Sequence, residues 1–121
     1  MNVSVSSSGS VTTARLSGEI DTYTVPAVRR AFEEIAVSRN GKIVVDLREV
    51  TFVDSSGLGA VIGLYHRVRA AGGRLQLLCG EVTLRLVTLM HLDQVMDVVT
   101  QPDVEEALGG ASVDTERSRL A

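Results

Sequence analysis

The spacing of apolar residues along the chain alternates between a period of two and the longer period of a helix. Val3 and Val5 are separated by one polar residue, and Ala14 and Leu16 repeat that spacing within VTTARLSGEI. The first segment predicts a short strand and the second a half-buried strand, because alternate side chains of a strand point to opposite faces. The small, polar, glycine-bearing segment SSSGS (6–10) predicts the hairpin turn between the two strands.

The first helical pattern follows the second strand and predicts a helix over about 25–38. Thr24 is the expected N-cap, and Pro26 fits the first turn, where a missing N–H group loses no hydrogen bond. Asn40-Gly41 is expected to end the helix in a left-handed conformation. The apolar residues at helical spacing are Val25, Val28, Phe32, Ile35 and Ala36.

Two further helical patterns follow, each after a strongly apolar segment. The first of these helices begins after Gly57 and ends at Gly72-Gly73, and the second is EVTLRLVTLM (81–90). The predicted inward faces are Leu58, Val61, Ile62, Tyr65 and Val68 in the former helix, and Val82, Leu86, Leu89 and Met90 in the latter.

Three apolar segments predict the remaining strands: KIVVDL (42–47), RLQLLC (74–79) and QVMDVV (94–99). The near-continuous apolar character of KIVVDL is typical of a central strand that is buried on both faces. Pro102 lies near the start of a last short helix, QPDVEEAL (101–108). The resulting order, β-β-α-β-α-β-α-β-α, predicts an α/β fold with a mostly parallel mixed sheet and an antiparallel N-terminal pair.

Composition narrows the class of protein. Aromatic residues make up 3% of the chain and the net charge is −3, so neither a nucleic acid nor an anionic membrane surface is favoured as a partner. Cys79 is the single cysteine and cannot form an intrachain disulfide, which indicates a reducing compartment. The sequence has no basic leader followed by an apolar segment and no apolar run of about 18 residues, so we expect a cytoplasmic protein.

The segment FVDSSGLG places Asp54, Ser55, Ser56 and Gly57 at the start of the second predicted helix. In a parallel sheet, ligands and partners bind where strands end and helices begin, so this segment and SGEIDTYTVP (17–26) are expected to meet at one edge. Asp and Ser are preferred N-caps, which gives a purely structural interpretation. Three adjacent polar side chains exceed the need of one cap, however, and a helix N-terminus also favours an anion such as a phosphate.

An enzymatic interpretation has little support in the sequence. A nucleophilic serine needs a base, but His66 lies more than one helical turn from the serines and nothing places His91 near them. Asp21 is interpreted as a turn residue, and Asp46 as a structural carboxylate at the end of a strand. Neither has His or Cys neighbours at metal-ligand spacing, so no metal site, no cofactor and no catalytic activity are predicted.

Taken together, GEIDTYTVPAVRRAF, VVDLREVTFVDSSGLGAVIGLYHRVRAAGGRLQLLC and LVTLMHLDQVMDV resemble the bacterial anti-sigma factor antagonists, which are single-domain STAS proteins. The resemblance covers about residues 3–108. It implies a STAS-like domain at 1–110, which leaves 111–121 as a polar, disordered tail. One position departs from the pattern, because many relatives have Thr-Gly-Leu where this chain has Met90-His91-Leu92.

The resemblance implies a protein switch that is controlled by phosphorylation. In such proteins the unphosphorylated form binds an anti-sigma factor that is also a serine kinase, and a sigma factor is released. Phosphorylation at the start of the second helix abolishes binding, and a serine phosphatase restores it. Matched motif to motif, the phosphoacceptor is Ser56, with Ser55 as the alternative. The implied partner-binding residues are Asp21, Thr22, Tyr23, Asp54, Ser55, Gly57, Leu58 and Gly59.

The same resemblance leaves a second function open, a STAS module that is a partner or scaffold in a transporter or a stress-signalling complex. The short chain and the intact DSSG motif (54–57) favour the anti-sigma factor antagonist. A neighbouring gene for an ATPase-type kinase would indicate the antagonist, and a neighbouring permease gene would indicate the transporter module. In either case we expect a monomer.

Overall fold

The computed structural model describes residues 1–100, which form a five-stranded sheet with three α-helices. The strands are Asn2–Ser8 (β1), Val11–Ile20 (β2), Lys42–Val53 (β3), Arg74–Cys79 (β4) and Asp97–Val99 (β5). The helices are Val25–Glu33 (α1), Ser55–Ala70 (α2) and Glu81–Leu89 (α3), and a 3₁₀ turn follows at Leu92–Gln94. The last predicted helix (101–108), the tail (111–121) and the C-terminal limit of the predicted domain lie outside the described residues.

The strands lie in the sheet in the order of the chain, β1-β2-β3-β4-β5. β1 and β2 are antiparallel, and the other neighbouring strands are parallel. The mixed α/β topology predicted from the order of elements is therefore confirmed. β3 is the central strand and its residues 43–47 are buried, which explains the near-continuous apolar run in its sequence. β5 is shorter than the predicted segment 94–99 because the 3₁₀ turn includes Gln94.

The three helices contribute to one core on a single face of the sheet. α1 contributes Val28 and Phe32, and α2 contributes Leu64 among other residues at helical spacing. Burial of such apolar surface stabilises the fold by about 25 cal/mol per Å². On the opposite face of the sheet, Val44 and Leu78 form a second and smaller buried cluster.

α1 is shorter than the sequence predicts and ends at Glu33. Ile35 is still buried beyond the helix end, whereas Ala36 is exposed. Asn40 has a φ of 64°, but it lies in the connection to β3 and not at the helix end. Thr24 is the N-cap residue, yet its hydroxyl donates to a β2 carbonyl oxygen at 2.8 Å and caps no helix N–H group. The apolar spacing overestimates the length of this helix, because a buried residue also occurs in the irregular segment that follows it.

The predicted inward face of α3 is wrong. Val82, Leu89 and Met90 are exposed and Leu86 is half-buried, whereas the buried residues of the helix are Thr83 and Val87. The hydroxyl of Thr83 accepts a hydrogen bond from the N–H group of Gly80 at 3.0 Å, so the side chain can be buried without an unsatisfied polar group. A nine-residue helix with apolar residues on several sides does not identify its buried face by periodicity alone.

The prediction of a strand-end carboxylate is wrong for Asp46, because β3 continues to Val53 and places Asp46 inside the strand. Its side chain is only 2% exposed and contacts the guanidinium groups of Arg48 at 2.8 Å and Arg15 at 3.3 Å. Burial raises the pKa of Asp46, but the hydrogen bonds from Arg48 and the charges of both arginines outweigh burial and hold the pKa below its ordinary value. Asp46 is therefore an ionised carboxylate that links β2 and β3.

Candidate functional site

The loops that follow β2 and β3 meet at the edge of the sheet where both strands end. Ile20 pairs with Val53, and the backbone N–H group of Asp54 donates to the carbonyl oxygen of Ile20 at 3.1 Å. The segments 21–24 and 54–56 therefore lie side by side, as the parallel topology predicts.

The loop after β2 is an Asx turn closed by Asp21. The Oδ1 atom of Asp21 accepts hydrogen bonds from the backbone N–H groups of Tyr23 at 2.9 Å and Thr24 at 3.0 Å. Thr22 and Tyr23 are exposed, and the Tyr23 side chain is 91% exposed. Asp21 thus shapes the loop, and Thr22 and Tyr23 are its accessible residues.

Asp54 is the N-cap of α2 and joins the two loops. Its Oδ1 atom accepts hydrogen bonds from the N–H groups of Ser56 at 2.9 Å and Gly57 at 3.2 Å, and from the Ser56 hydroxyl at 2.5 Å. The hydrogen bond from the Ser56 hydroxyl is the main cause of a lowered pKa for Asp54. Backbone N–H groups, including that of Thr22, add to it, and together they outweigh desolvation. Asp54 is therefore negatively charged at neutral pH.

The two adjacent serines have different environments. Ser55 is exposed, whereas Ser56 is half-buried and its hydroxyl donates to the Asp54 carboxylate. Ser56 as a residue remains partly accessible to solvent. The partner of this hydroxyl is a carboxylate and not an imidazole, an arrangement that differs from that of a serine nucleophile with a histidine base.

The residues that follow the serines lie mainly beneath the surface. Gly57 is buried, and Leu58 is 9% exposed and lines a small apolar cavity with Val61 and Leu86. Gly59 is half-buried. Of the residues predicted to bind a partner, Gly57 and Leu58 therefore belong to the packing under the site and not to its accessible surface.

Phe52, at the end of β3, was not identified from the sequence as a site residue. Its side chain is 49% exposed, while the adjacent Val53 packs against the core, because successive side chains of a strand point to opposite faces. Tyr23 and Phe52 are two of the four aromatic residues in the chain, and both are exposed beside the serine turn. Alternation alone would not have identified Phe52, because Val50 and Val53 both pack in the core and a register shift between Gly18 and Glu19 of β2 breaks the period of two. Aromatic side chains are enriched at the centres of protein–protein interfaces.

Gly57→Ala is expected to destabilise the protein by about 1–3 kcal/mol, although alanine favours helices. The new Cβ atom would lie 2.6 Å from Cγ2 of Ile20 and 2.9 Å from Cγ1 of Val53, and both contacts involve stiff β-branched side chains. Gly63→Ala is the matched control in the same helix, since nothing lies within 4 Å of its Cβ position. There we expect stabilisation of up to about 1 kcal/mol. Urea unfolding followed by circular dichroism measures both variants, and equal gains in the two would contradict close packing of Gly57.

The polar groups of this edge are suited to contact with another protein. Within residues 1–100, no three His, Cys, Asp or Glu side chains are placed to hold a metal ion. No helix in the same part of the chain is long and apolar enough to cross a membrane. The edge offers the carboxylates of Asp21 and Asp54, two serine hydroxyls and two exposed aromatic side chains, which can form hydrogen bonds and apolar contacts or accept a phosphoryl group.

Comparison with known proteins gives consistent matches. The STAS domain family model matches residues 2–107. An anti-sigma-B factor antagonist of Listeria monocytogenes is 33% identical over 95 residues, which cover 78% of this chain and 82% of the relative. A solved anti-sigma factor antagonist from Mycobacterium paratuberculosis matches with a TM-score of 0.76 and 28% identity, over 88% of this chain and 90% of that chain. The Bacillus cell fate determinant SpoIIAA in its phosphorylated form matches with a TM-score of 0.65 and 25% identity, over 88% of this chain and 99% of that chain.

Proposed function

The chain belongs to the STAS domain family, and from this premise we propose that it is an anti-sigma factor antagonist that is switched by phosphorylation. The unphosphorylated chain binds an anti-sigma factor with serine kinase activity in the cytoplasm, and a sigma factor is released. Transfer of a phosphoryl group to Ser56 ends this binding, and a serine phosphatase reverses the modification. The relatives named as anti-sigma factor antagonists support this function.

The observation that carries the proposal is the position of the Ser56 hydroxyl. It lies at the first turn of α2, partly exposed, on an edge that also presents Tyr23 and Phe52. We expect a kinase that docks on this edge to reach the half-buried Ser56 there. The match to a structure in a phosphorylated form adds support for this interpretation.

A phosphate on Ser56 would change the charge of the edge without a change of fold. The group carries about −1.5 to −2 charges at pH 7, and it would replace the proton that now bonds to Asp54 at 2.5 Å. The N–H groups of Ser56 and Gly57 already bond to that carboxylate, so they do not neutralise the phosphate while Asp54 stays in place. Burial of an unneutralised dianion against a partner is unfavourable. The phosphorylated edge is therefore expected to reject the partner.

Incubation with each ATPase-type anti-sigma factor of the source organism and Mg-ATP tests this proposal. We expect one kinase to add the mass of one phosphate, and peptide mapping to place that phosphate on Ser56. Ser56→Ala is the control and is expected to remain unlabelled. Stable binding without phosphorylation would favour a scaffold role, and label confined to the serines of the hairpin (6–10) would contradict the assigned site.

A further inference from the structure

The two adjacent serines differ in their relation to the Asp54 carboxylate. Its Oδ1 atom accepts the hydroxyl proton of Ser56 at 2.5 Å and the N–H groups of Ser56 and Gly57 at 2.9 and 3.2 Å. These three bonds to one oxygen connect the Ser56 side chain to its own backbone through the carboxylate. The side chain of Ser55 is exposed on the first residue of α2 and is not part of this arrangement.

We propose that Asp54 is a positioning residue that makes Ser56, and not Ser55, the phosphoacceptor. This inference rests on the proposed function and adds to it the group that selects between the two serines. A hydrogen bond to an ionised acceptor is stronger and more directional than one to water. Asp54 therefore holds the Ser56 oxygen in one rotamer, whereas the Ser55 oxygen samples several.

The orientation of the hydroxyl suits the transfer step. While the single proton of Ser56 points toward Asp54, the oxygen lone pairs point elsewhere and are available to the γ-phosphorus of ATP. The Oγ–P bond forms, the bond from that phosphorus to the β-phosphate oxygen breaks, and ADP leaves with the electron pair. The hydroxyl proton passes to a general base of the kinase. Asp54 is a poor final acceptor for it, because the hydrogen bonds at this site hold the pKa of the carboxyl low.

The backbone of Asp54 connects this arrangement to the end of β2. Its N–H group donates to the carbonyl oxygen of Ile20 at 3.1 Å, directly before the loop that holds Thr22 and Tyr23. The residue that orients Ser56 is thus anchored to both α2 and β2. A kinase that docks on Thr22 and Tyr23 would therefore find the Ser56 oxygen at a fixed distance from its docking contacts.

The ratio of label on Ser56 to label on Ser55 tests the role of Asp54. Both serines compete within the same bound chain, so a change in docking affinity cancels from the ratio. Asp54→Asn keeps a good N-cap but removes the charge. With the kinase that labels the wild-type chain and Mg-ATP, we expect label mainly on Ser56 in the wild type and a shift of about tenfold or more toward Ser55 in Asp54→Asn. Glu81→Gln, which removes one charge from the first turn of α3, is the control and should leave the ratio unchanged.

A second measurement requires no kinase. Three-bond couplings between the α and β protons report serine rotamers in solution by NMR. We expect one rotamer for Ser56 and averaging for Ser55 in the wild type, and averaging for both serines in Asp54→Asn. An unchanged label ratio in Asp54→Asn, or an averaged Ser56 in the wild type, would overturn the role of Asp54 while leaving the proposed function intact. Absence of label on any serine of the wild-type chain would overturn both.

Discussion

Replacement of Ser56 by glutamate is expected to weaken binding to the anti-sigma kinase by about tenfold or more. A tenfold increase in Kd corresponds to a loss of about 1.4 kcal/mol of binding free energy. The new carboxylate would lie beside Asp54, whose Oδ1 atom is only 2.5 Å from the present hydroxyl oxygen. Two like charges then face the partner, and burial of either without a cation is unfavourable. Isothermal titration calorimetry with the purified kinase, in the presence of ADP, measures the change in Kd.

Two variants at the same turn serve as controls for this expectation. Ser56→Ala introduces no charge, so it should bind the kinase, and ATP should not release it because no phosphate can be added. Ser55→Glu adds the same charge at the neighbouring exposed position and should weaken binding less. If Ser56→Glu bound as tightly as the wild-type chain, the negative charge at position 56 could not be the basis of the switch. A larger effect from Ser55→Glu would instead assign the switch to the alternative serine.

Arg48→Met is expected to reduce the free energy of unfolding by about 3–5 kcal/mol. Arg48 donates to Asp46 through Nε at 3.0 Å and Nη2 at 2.8 Å, and Asp46 is only 2% exposed. Without Arg48, the buried carboxylate would keep Arg15 at 3.3 Å, and that side chain is 51% exposed and shared with solvent. Methionine preserves much of the apolar stem, so the loss reflects the charge and its hydrogen bonds. Urea unfolding at pH 7 measures the difference.

The double variant Asp46→Leu/Arg48→Met provides the matched control. It removes both charges, and a buried ion pair can often be replaced by apolar residues at little cost, so most of the stability should return. If the double variant were as unstable as Arg48→Met, packing and not the buried charge would explain the loss.

The wild-type chain and Arg48→Met should also differ in how their stability changes with pH. In the wild type, the arginines outweigh burial and lower the pKa of Asp46. The ionised carboxylate therefore contributes to the free energy of unfolding above the unfolded pKa, and this stabilisation is lost as pH falls through the folded pKa. In Arg48→Met, burial is no longer outweighed and the pKa should rise above the unfolded value, so protonation stabilises the folded state as pH falls. The difference in unfolding free energy between the wild type and Arg48→Met should therefore become smaller from pH 7 to pH 4. The lower limit is about the pKa of an aspartate in the unfolded chain. Denaturant titrations across this interval measure the difference, and a constant difference would contradict an ionised Asp46.

The candidate site could be located from the sequence but not resolved into its parts. The DSSG motif and the strand that precedes it predict a polar turn at a helix start, and the order of elements predicts that the loop after β2 lies beside it. The apolar period of α2 predicts that Leu58 faces inward, whereas the family resemblance groups it with Thr22 among the partner-binding residues. In the structure Leu58 is buried and Thr22 is exposed. It also did not identify Phe52, whose exposure depends on which face of β3 the core covers.

The sequence by itself determined the order and type of the elements in residues 1–100 and the place of the serine turn, since apolar periodicity and capping residues act over a few neighbouring positions. The tertiary structure decided which face of α3 is buried, where Asp46 lies in its strand, and how Asp54 bonds to both Ser56 and Ile20. The inward face of α3 is selected by the sheet on which it packs, and the Asp46 carboxylate also receives a hydrogen bond from Arg15, which lies on a different strand. Such contacts join segments that are far apart in the chain, so local spacing carries no information about them.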